Sequence, residues 1–175
     1  MKNAVVLGLG SNASLCRNGR MLESVHILEK ACRALALFID DMHVSSVYET
    51  PPMYVKEQKN FYNMALCGFF GGDPFELLQL TQKVEAEYGR DRRHEIRFGP
   101  RSLDIDIELF ADMRIRTDSL EIPPPRLTER AFVLIPMLEI LPFCADIQNG
   151  TFYENCLKSA DGSGIKKFCG PFKIT

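Results

Sequence analysis

The sequence predicts an α+β fold: a four-stranded antiparallel sheet with two helices on one face. Three observations carry this. Short runs rich in Val, Ile, Leu and Phe alternate with two segments of helical periodicity, glycines and prolines separate them, and their order is β-α-β-β-α-β. That order is the split βαβ, or ferredoxin-like, arrangement, which leaves the second sheet face open to carry a site.

Residues 4–9, AVVLGL, read as a buried first strand closed by a glycine turn. A helix is expected over 18–37, because Met21, Leu22, Val25, Leu28, Cys32 and Leu35 recur at helical spacing. Residues 42–49 read as the second strand, with Val44, Val47 and Tyr48 favouring extended backbone, and Pro51-Pro52 end it. Residues 61–70 form the third strand, stopped by Gly71-Gly72. The second helix is clearly punctuated. Asp73 is its N-cap, Pro74 its first residue, Glu76 completes a capping box, and Gly89 ends it. A basic loop, 90–101, leads into the fourth strand, 103–110. A proline-rich loop at 121–126 and a mostly apolar segment to Ile140 follow. Residues 1–175 are expected to form one domain, with its core at 4–140 and a weakly patterned extension at 141–175.

Composition narrows the function. Hydrophobic residues are 46% and charged residues 25% of the 175, which excludes a disordered or fibrous chain. The formal charge of −2 gives no global attraction to nucleic acid or an anionic membrane, so any anion site must be local. No segment approaches the roughly 20 apolar residues of a membrane span. The apolar run at 4–9 is too short for a signal peptide. The six cysteines form no CxxC pair and share no metal spacing with His26, His43 or His94, so they read as reduced thiols of a cytoplasmic protein.

The fourth strand carries the chemistry. Leu103, Ile105, Ile107 and Leu109 alternate with Asp104, Asp106 and Glu108, so the acids share one face. The Asp104 and Asp106 Cα atoms should lie roughly 6.6 Å apart. They can hold a hard cation together with substrate phosphates, or form a solvated polar face. Glu108 continues that face and reads as surface. Arg90, Arg92, Arg93, Arg97 and Arg101 precede this strand, opposed only by Asp91 and Glu95. They either neutralise the aspartates or bind phosphate, and five cations beside the Gly99-Pro100 turn favour phosphate. On the second helix, Gln82 and Glu85 share a face that meets a base or ribose, or only water. On the third strand, Phe61 and Asn63 share a face, either as a ring and an amide for a flat heterocycle or as core packing.

Together these segments resemble the 6-hydroxymethyl-7,8-dihydropterin pyrophosphokinase family. The resemblance runs through Gly8-Leu9-Gly10-Ser11-Asn12, the stretch from Ser45 to Met53, Phe61-Tyr62-Asn63-Met64-Ala65 and Glu129 to Leu134. Its most specific part is Gly99-Pro100-Arg101-Ser102-Leu103-Asp104-Ile105-Asp106, matching the family signature G-P-R-[ST]-L-D-[IL]-D. The resemblance implies transfer of pyrophosphate from ATP to the pterin hydroxymethyl oxygen, releasing AMP. It implies that Asp104 and Asp106 hold two Mg²⁺ ions, and that Thr50, Pro52, Met53, Phe61, Asn63, Phe98 and Phe132 form the pterin pocket. ATP would meet Gln82, Glu85, Arg92, Arg101, Ile107 and Arg130, with Arg90 and Arg92 in a catalytic loop that closes over phosphates. The partners are thus the small molecules ATP and the pterin, for a monomer or weak homodimer.

The chain departs from the family pattern in places. Pro124 stands where a histidine is usual, Phe61 where tyrosine is common, and Phe98 where tryptophan is common. No histidine is poised as a base. Asp106 can orient or accept the hydroxyl proton, although a bound metal would lower its basicity. Two rival readings exist. Gly8-Leu9-Gly10-Ser11-Asn12-Ala13 fits a dinucleotide fingerprint, without the acidic residue of a second parallel strand. A non-catalytic ferredoxin-like domain that binds nucleotide or metal is the other.

Overall fold

The computed structural model describes residues 2–52, 57–90, 99–144, 146–147 and 150–174. Met53, Arg92, Arg93, Arg97 and Phe98 lie outside them. In chain order come β1 (Asn3–Ser11), β2 (Leu15–Arg17), β3 (Arg20–Leu22), α1 (Ser24–Leu35), β4 (Ile39–Val44), β5 (Val47–Thr50) and β6 (Phe61–Phe70). Then follow α2 (Pro74–Glu87), β7 (Asp104–Phe110), β8 (Ile115–Arg116), β9 (Glu121–Ile122), α3 (Ala131–Ile140), α4 (Gly150–Ser159) and β10 (Lys166–Cys169). The main sheet runs β10-β5-β6-β1-β7, with β4 also on β6, and its pairings are antiparallel. The expected sheet of four strands is therefore a sheet of six among the described residues.

Two of the additional pieces come from splitting and extending the expected elements. The second strand is broken into β4 and β5 at Ser45-Ser46. There the Ser45 hydroxyl donates to the Ser46 carbonyl (2.7 Å) and accepts from the Ala65 N–H (2.9 Å). Residues 166–169 add β10 along β5. The first helix starts later than its periodicity suggests. Asn18 and Gly19 have φ of 51° and 71°, turning the β2–β3 hairpin, so Met21 and Leu22 belong to a strand. The capping box of α2 forms as expected, with Asp73 accepting from Phe75 and Glu76 N–H and Glu76 accepting from Asp73 N–H.

Strand alternation divides the core. Val5, Leu7 and Leu9 of β1 pack with Leu66, Ile105 and Ile107 beneath α1 and α2. Ala4 and Val6 face the other way, with Ala65, Cys67, Val133, Leu134 and Met137. The second face is therefore not wholly open, as expected, but partly roofed by α3. That helix is apolar on nearly every side, which demands cover on every side, and α4 packs against it. The last residues of β1 and the first of β7 line a cavity beside α3.

β7 corrects a further expectation. Val6 pairs with Leu109 but Leu7 pairs with Ile107, so Glu108 is an extra residue on β7. The bulge resets the alternation. Leu109 joins the cluster under α3, and Phe110 takes the place below α1 and α2.

Candidate active site

β1 places Gly8 opposite Asp106 and Gly10 opposite Asp104. The two glycines lie inside a nine-residue antiparallel strand followed by a hairpin, not at a strand-to-helix turn. The dinucleotide reading therefore fails. Their function is close approach: a Cβ on Gly8 would stand 2.5 Å from Glu108 Oε1, and one on Gly10 2.9 Å from Asn63 Oδ1. With no side chains there, a cavity of about 370 Å³ opens over the sheet.

One wall comes from β5, β6 and the loop between them: Thr50, Pro51, Gln58, Phe61 and Asn63. The Asn63 amide donates to Thr50 Oγ1 at 2.7 Å, which fixes its orientation and leaves its carbonyl oxygen on the glycine side. Arg130, Phe132 and Val133, at the start of α3, form a second wall. The Arg130 guanidinium lies 5.9 Å from the Phe132 ring centre, within cation–π range. The floor is acidic and the far rim basic: Asp104, Asp106 and Glu108 beside Arg90 and Arg101.

These charges are already organised. Arg90 donates to both Glu85 and Asp104, and Arg101 donates to the other oxygen of Asp104. Glu85 is buried and also accepts the Ile105 N–H at 2.8 Å, so α2 is fastened to β7 through one carboxylate. Asn12 secures the rim: its Oδ1 accepts Arg101 N–H at 2.8 Å, and its amide donates to Gln58 and to the Lys59 carbonyl. Asp106 has no hydrogen-bond partner among the described residues. Its side chain is open to water in the cavity but crowded by protein. Burial pushes its carboxyl up to about 6, and the charge of Asp104 adds to the push. Glu108, expected at the surface, is only 2% exposed. Burial, then the charge of Asp106, raises it well above the ordinary carboxylate range.

The cavity thus gathers Thr50, Phe61, Asn63, Arg90, Arg101, Asp104, Asp106, Arg130 and Phe132. Ile107 lies in the core beneath the helices. Pro52 and Gln82 do not line the cavity, whereas Pro51, Gly8, Gly10 and Glu108, which sequence reasoning left without a site role, do. For the two glycines the available signal was their spacing opposite the acidic strand.

The donor set suits a hard divalent ion. Two carboxylates share one face. Among the described residues no group of three His, Cys, Asp or Glu could hold a metal. Mg²⁺ is commonly held by one or two carboxylates and substrate phosphates.

An antiparallel α/β sheet carrying adjacent carboxylates, arginines and an aromatic wall in one cavity is the frame of a transferase suited to phosphate groups. The model of the family 7,8-dihydro-6-hydroxymethylpterin-pyrophosphokinase matches residues 6–142, and the chain belongs to that family. It is 41% identical over 140 residues to the 2-amino-4-hydroxy-6-hydroxymethyldihydropteridine pyrophosphokinase of Bacillus subtilis, covering 80% of this chain and 79% of that one. It is 39% identical over 170 residues to the enzyme of the same name from Aquifex aeolicus, covering 97% and 98%. Among solved structures it resembles a Plasmodium falciparum HPPK-DHPS triple mutant, with a TM-score of 0.64. That likeness, at 16% identity, covers 90% of this chain and 43% of the solved one, and shows the fold alone.

Proposed function

We propose that this pyrophosphokinase of folate biosynthesis performs its reaction in the cavity above β1 and β7, with the acids of β7 at the phosphates and the β5–β6 wall at the pterin. The hydroxymethyl oxygen of the pterin attacks the β-phosphorus of ATP. A new O–P bond forms, the bond from that phosphorus to the α-phosphate bridging oxygen breaks, the hydroxyl proton is lost, and AMP leaves. The single observation that supports this most is that Asn63 and Phe61 share one cavity with Asp104 and Asp106. That arrangement suits a flat heterocycle at one end and phosphates at the other.

On this reading Asn63 reads the edge of the pterin, and Phe61, with Phe98, offers it an aromatic face. Thr50, Met53 and Phe132 complete that pocket. Arg92, Arg101 and Arg130 serve the nucleotide, and Glu85 acts through its hold on Arg90, whereas Pro52, Gln82 and Ile107 stand back from the cavity. Asp104 and Asp106 hold two Mg²⁺ ions, which supply charge neutralisation and alignment of the phosphates when bound. Arg90 and Arg101, paired with Asp104, exchange that carboxylate for phosphate oxygens as the nucleotide arrives. Arg90 and Arg92 act as catalytic cations, and Asp106 orients the attacking hydroxyl. The same reading takes residues 1–175 as one domain, since β10 completes the sheet. It takes the protein as cytoplasmic, a monomer or weak homodimer, with no nucleic-acid or membrane partner. Among the described residues no helix is long and apolar enough to cross a membrane.

The test is product analysis with ATP, Mg²⁺ and 6-hydroxymethyl-7,8-dihydropterin. AMP and pterin diphosphate should appear in equal amounts. No AMP above a boiled-protein blank would contradict the proposal.

A further inference from the structure

Residues after 142 fall outside the segment matched to the family, yet they fold back onto the cavity wall. β10 lies along the outer edge of β5, pairing Lys166 with Glu49, Lys167 with Tyr48 and Cys169 with Val47. β5 itself is four residues long and meets β6 through only three pairs, Tyr48–Asn63, Glu49–Tyr62 and Thr50–Phe61. A strand so short is weakly held from one side alone. β10 gives it a second neighbour, and Phe168 sets its ring edge against Tyr62, with centroids 4.9 Å apart. Lys167 reaches Glu139 of α3 at 3.8 Å. That carboxylate also accepts from Ser46 N–H, Ser46 Oγ and Tyr48 OH.

The turn before β10 lies behind both walls. Gly164 has φ +76°, and a Cβ there would stand 3.0 Å from Pro51 Cγ, so its backbone lies directly on the Pro51 ring. A Cβ on Gly162 would stand 3.8 Å from the Ala131 methyl, next to Phe132. The turn thus spans from the wall of Thr50 and Pro51 to that of Phe132.

We propose that the turn and β10, residues 161–169, are a positioning element that fixes the separation of these two walls and so sets affinity for the pterin. The inference rests on the reading that this end of the cavity takes the pterin. The turn touches Pro51 and Ala131 rather than the reacting atoms, so it acts through the walls.

Two variants test it. Gly164→Val places a β-branched residue at positive φ against Pro51 and displaces the turn. Insertion of two glycines after Ser163 lengthens the turn where it is exposed, a change folds tolerate well. Pterin and a non-hydrolysable ATP analogue with Mg²⁺ are titrated separately, and melting is followed alongside. Each variant should bind pterin about tenfold more weakly, because small misplacement of a binding wall carries losses of this size, while nucleotide affinity stays within about twofold. Pterin affinity within about twofold of wild type in a folded variant would overturn the inference. So would equal losses for both ligands, which mark general destabilisation. Should Gly164→Val not fold, the insertion variant decides alone, and failure of both to fold also counts against an element that acts on affinity. Failure of the wild type to bind pterin at all would instead remove the reading of the cavity.

Discussion

Replacing Glu108 with glutamine isolates the effect of burying a third carboxyl beneath the cavity. Glu108 sits on the β7 bulge, 2% exposed, pressed against Gly8 at the floor of the cavity. Burial, then Asp106, holds its carboxyl well above the ordinary range. Below the ordinary glutamate range, folded and unfolded chains both keep the proton, and its stability contribution is fully present. As the pH rises, the unfolded chain ionises first while the fold keeps the proton, so that contribution is lost until the folded carboxyl titrates too. Glutamine has the shape of the protonated acid and cannot ionise. Each pH unit over which only the unfolded chain has ionised costs the wild type about 1.4 kcal/mol, a cost glutamine does not carry. At roughly 2–4 °C per kcal/mol for a chain of this size, the variant should melt about 3–10 °C above wild type at pH 8. The gap should close at pH 4. Thermal melts of both proteins in chelator at pH 4, 6 and 8 supply the assay. A gap independent of pH, or a variant that melts lower at pH 8, would refute the argument.

Other consequences are as direct. Gly8→Ala drives a methyl into Glu108 and should cost about 1–3 kcal/mol of stability, measured by denaturant unfolding, and Glu108→Ala in the same chain should restore most of it. Asp73→Ala removes the two hydrogen bonds that the cap side chain accepts and should cost about 1 kcal/mol with turnover unchanged, since the cap is remote from the cavity. Arg92→Ala should slow turnover much more than it weakens pterin binding, read from steady-state rates and pterin titration, because its assigned ligand is phosphate.

What the sequence disclosed follows from how local each signal is. The α2 cap is written in four consecutive residues and formed as read, and alternation along 103–107 put the two aspartates on one face. The hairpin turn at Asn18-Gly19 was equally local, but apolar spacing beginning at Met21 imitated a helix and overrode it. Non-local causes were illegible. The break at Ser45-Ser46 is anchored by Glu139, 93 residues away. The bulge that buries Glu108 and redirects Leu109 arises from the register with β1. β10 is four residues with two lysines, and only the empty edge of β5 makes it a strand. In the site, residue types were readable while partners were not. Asp104 is held by two arginines and Asp106 is not, and that asymmetry exists only once α2 and β7 are packed.

On the proposed function, Asp104 and Asp106 together hold divalent ions against the nucleotide phosphates. Mn²⁺ binding, followed by electron paramagnetic resonance in the presence of a non-hydrolysable ATP analogue and pterin, measures this directly in wild type, Asp104→Asn and Asp106→Asn. Two protein-dependent ions are expected in wild type and loss of at least one in each variant, with circular dichroism unchanged. Wild-type stoichiometry and affinity in both variants would contradict it.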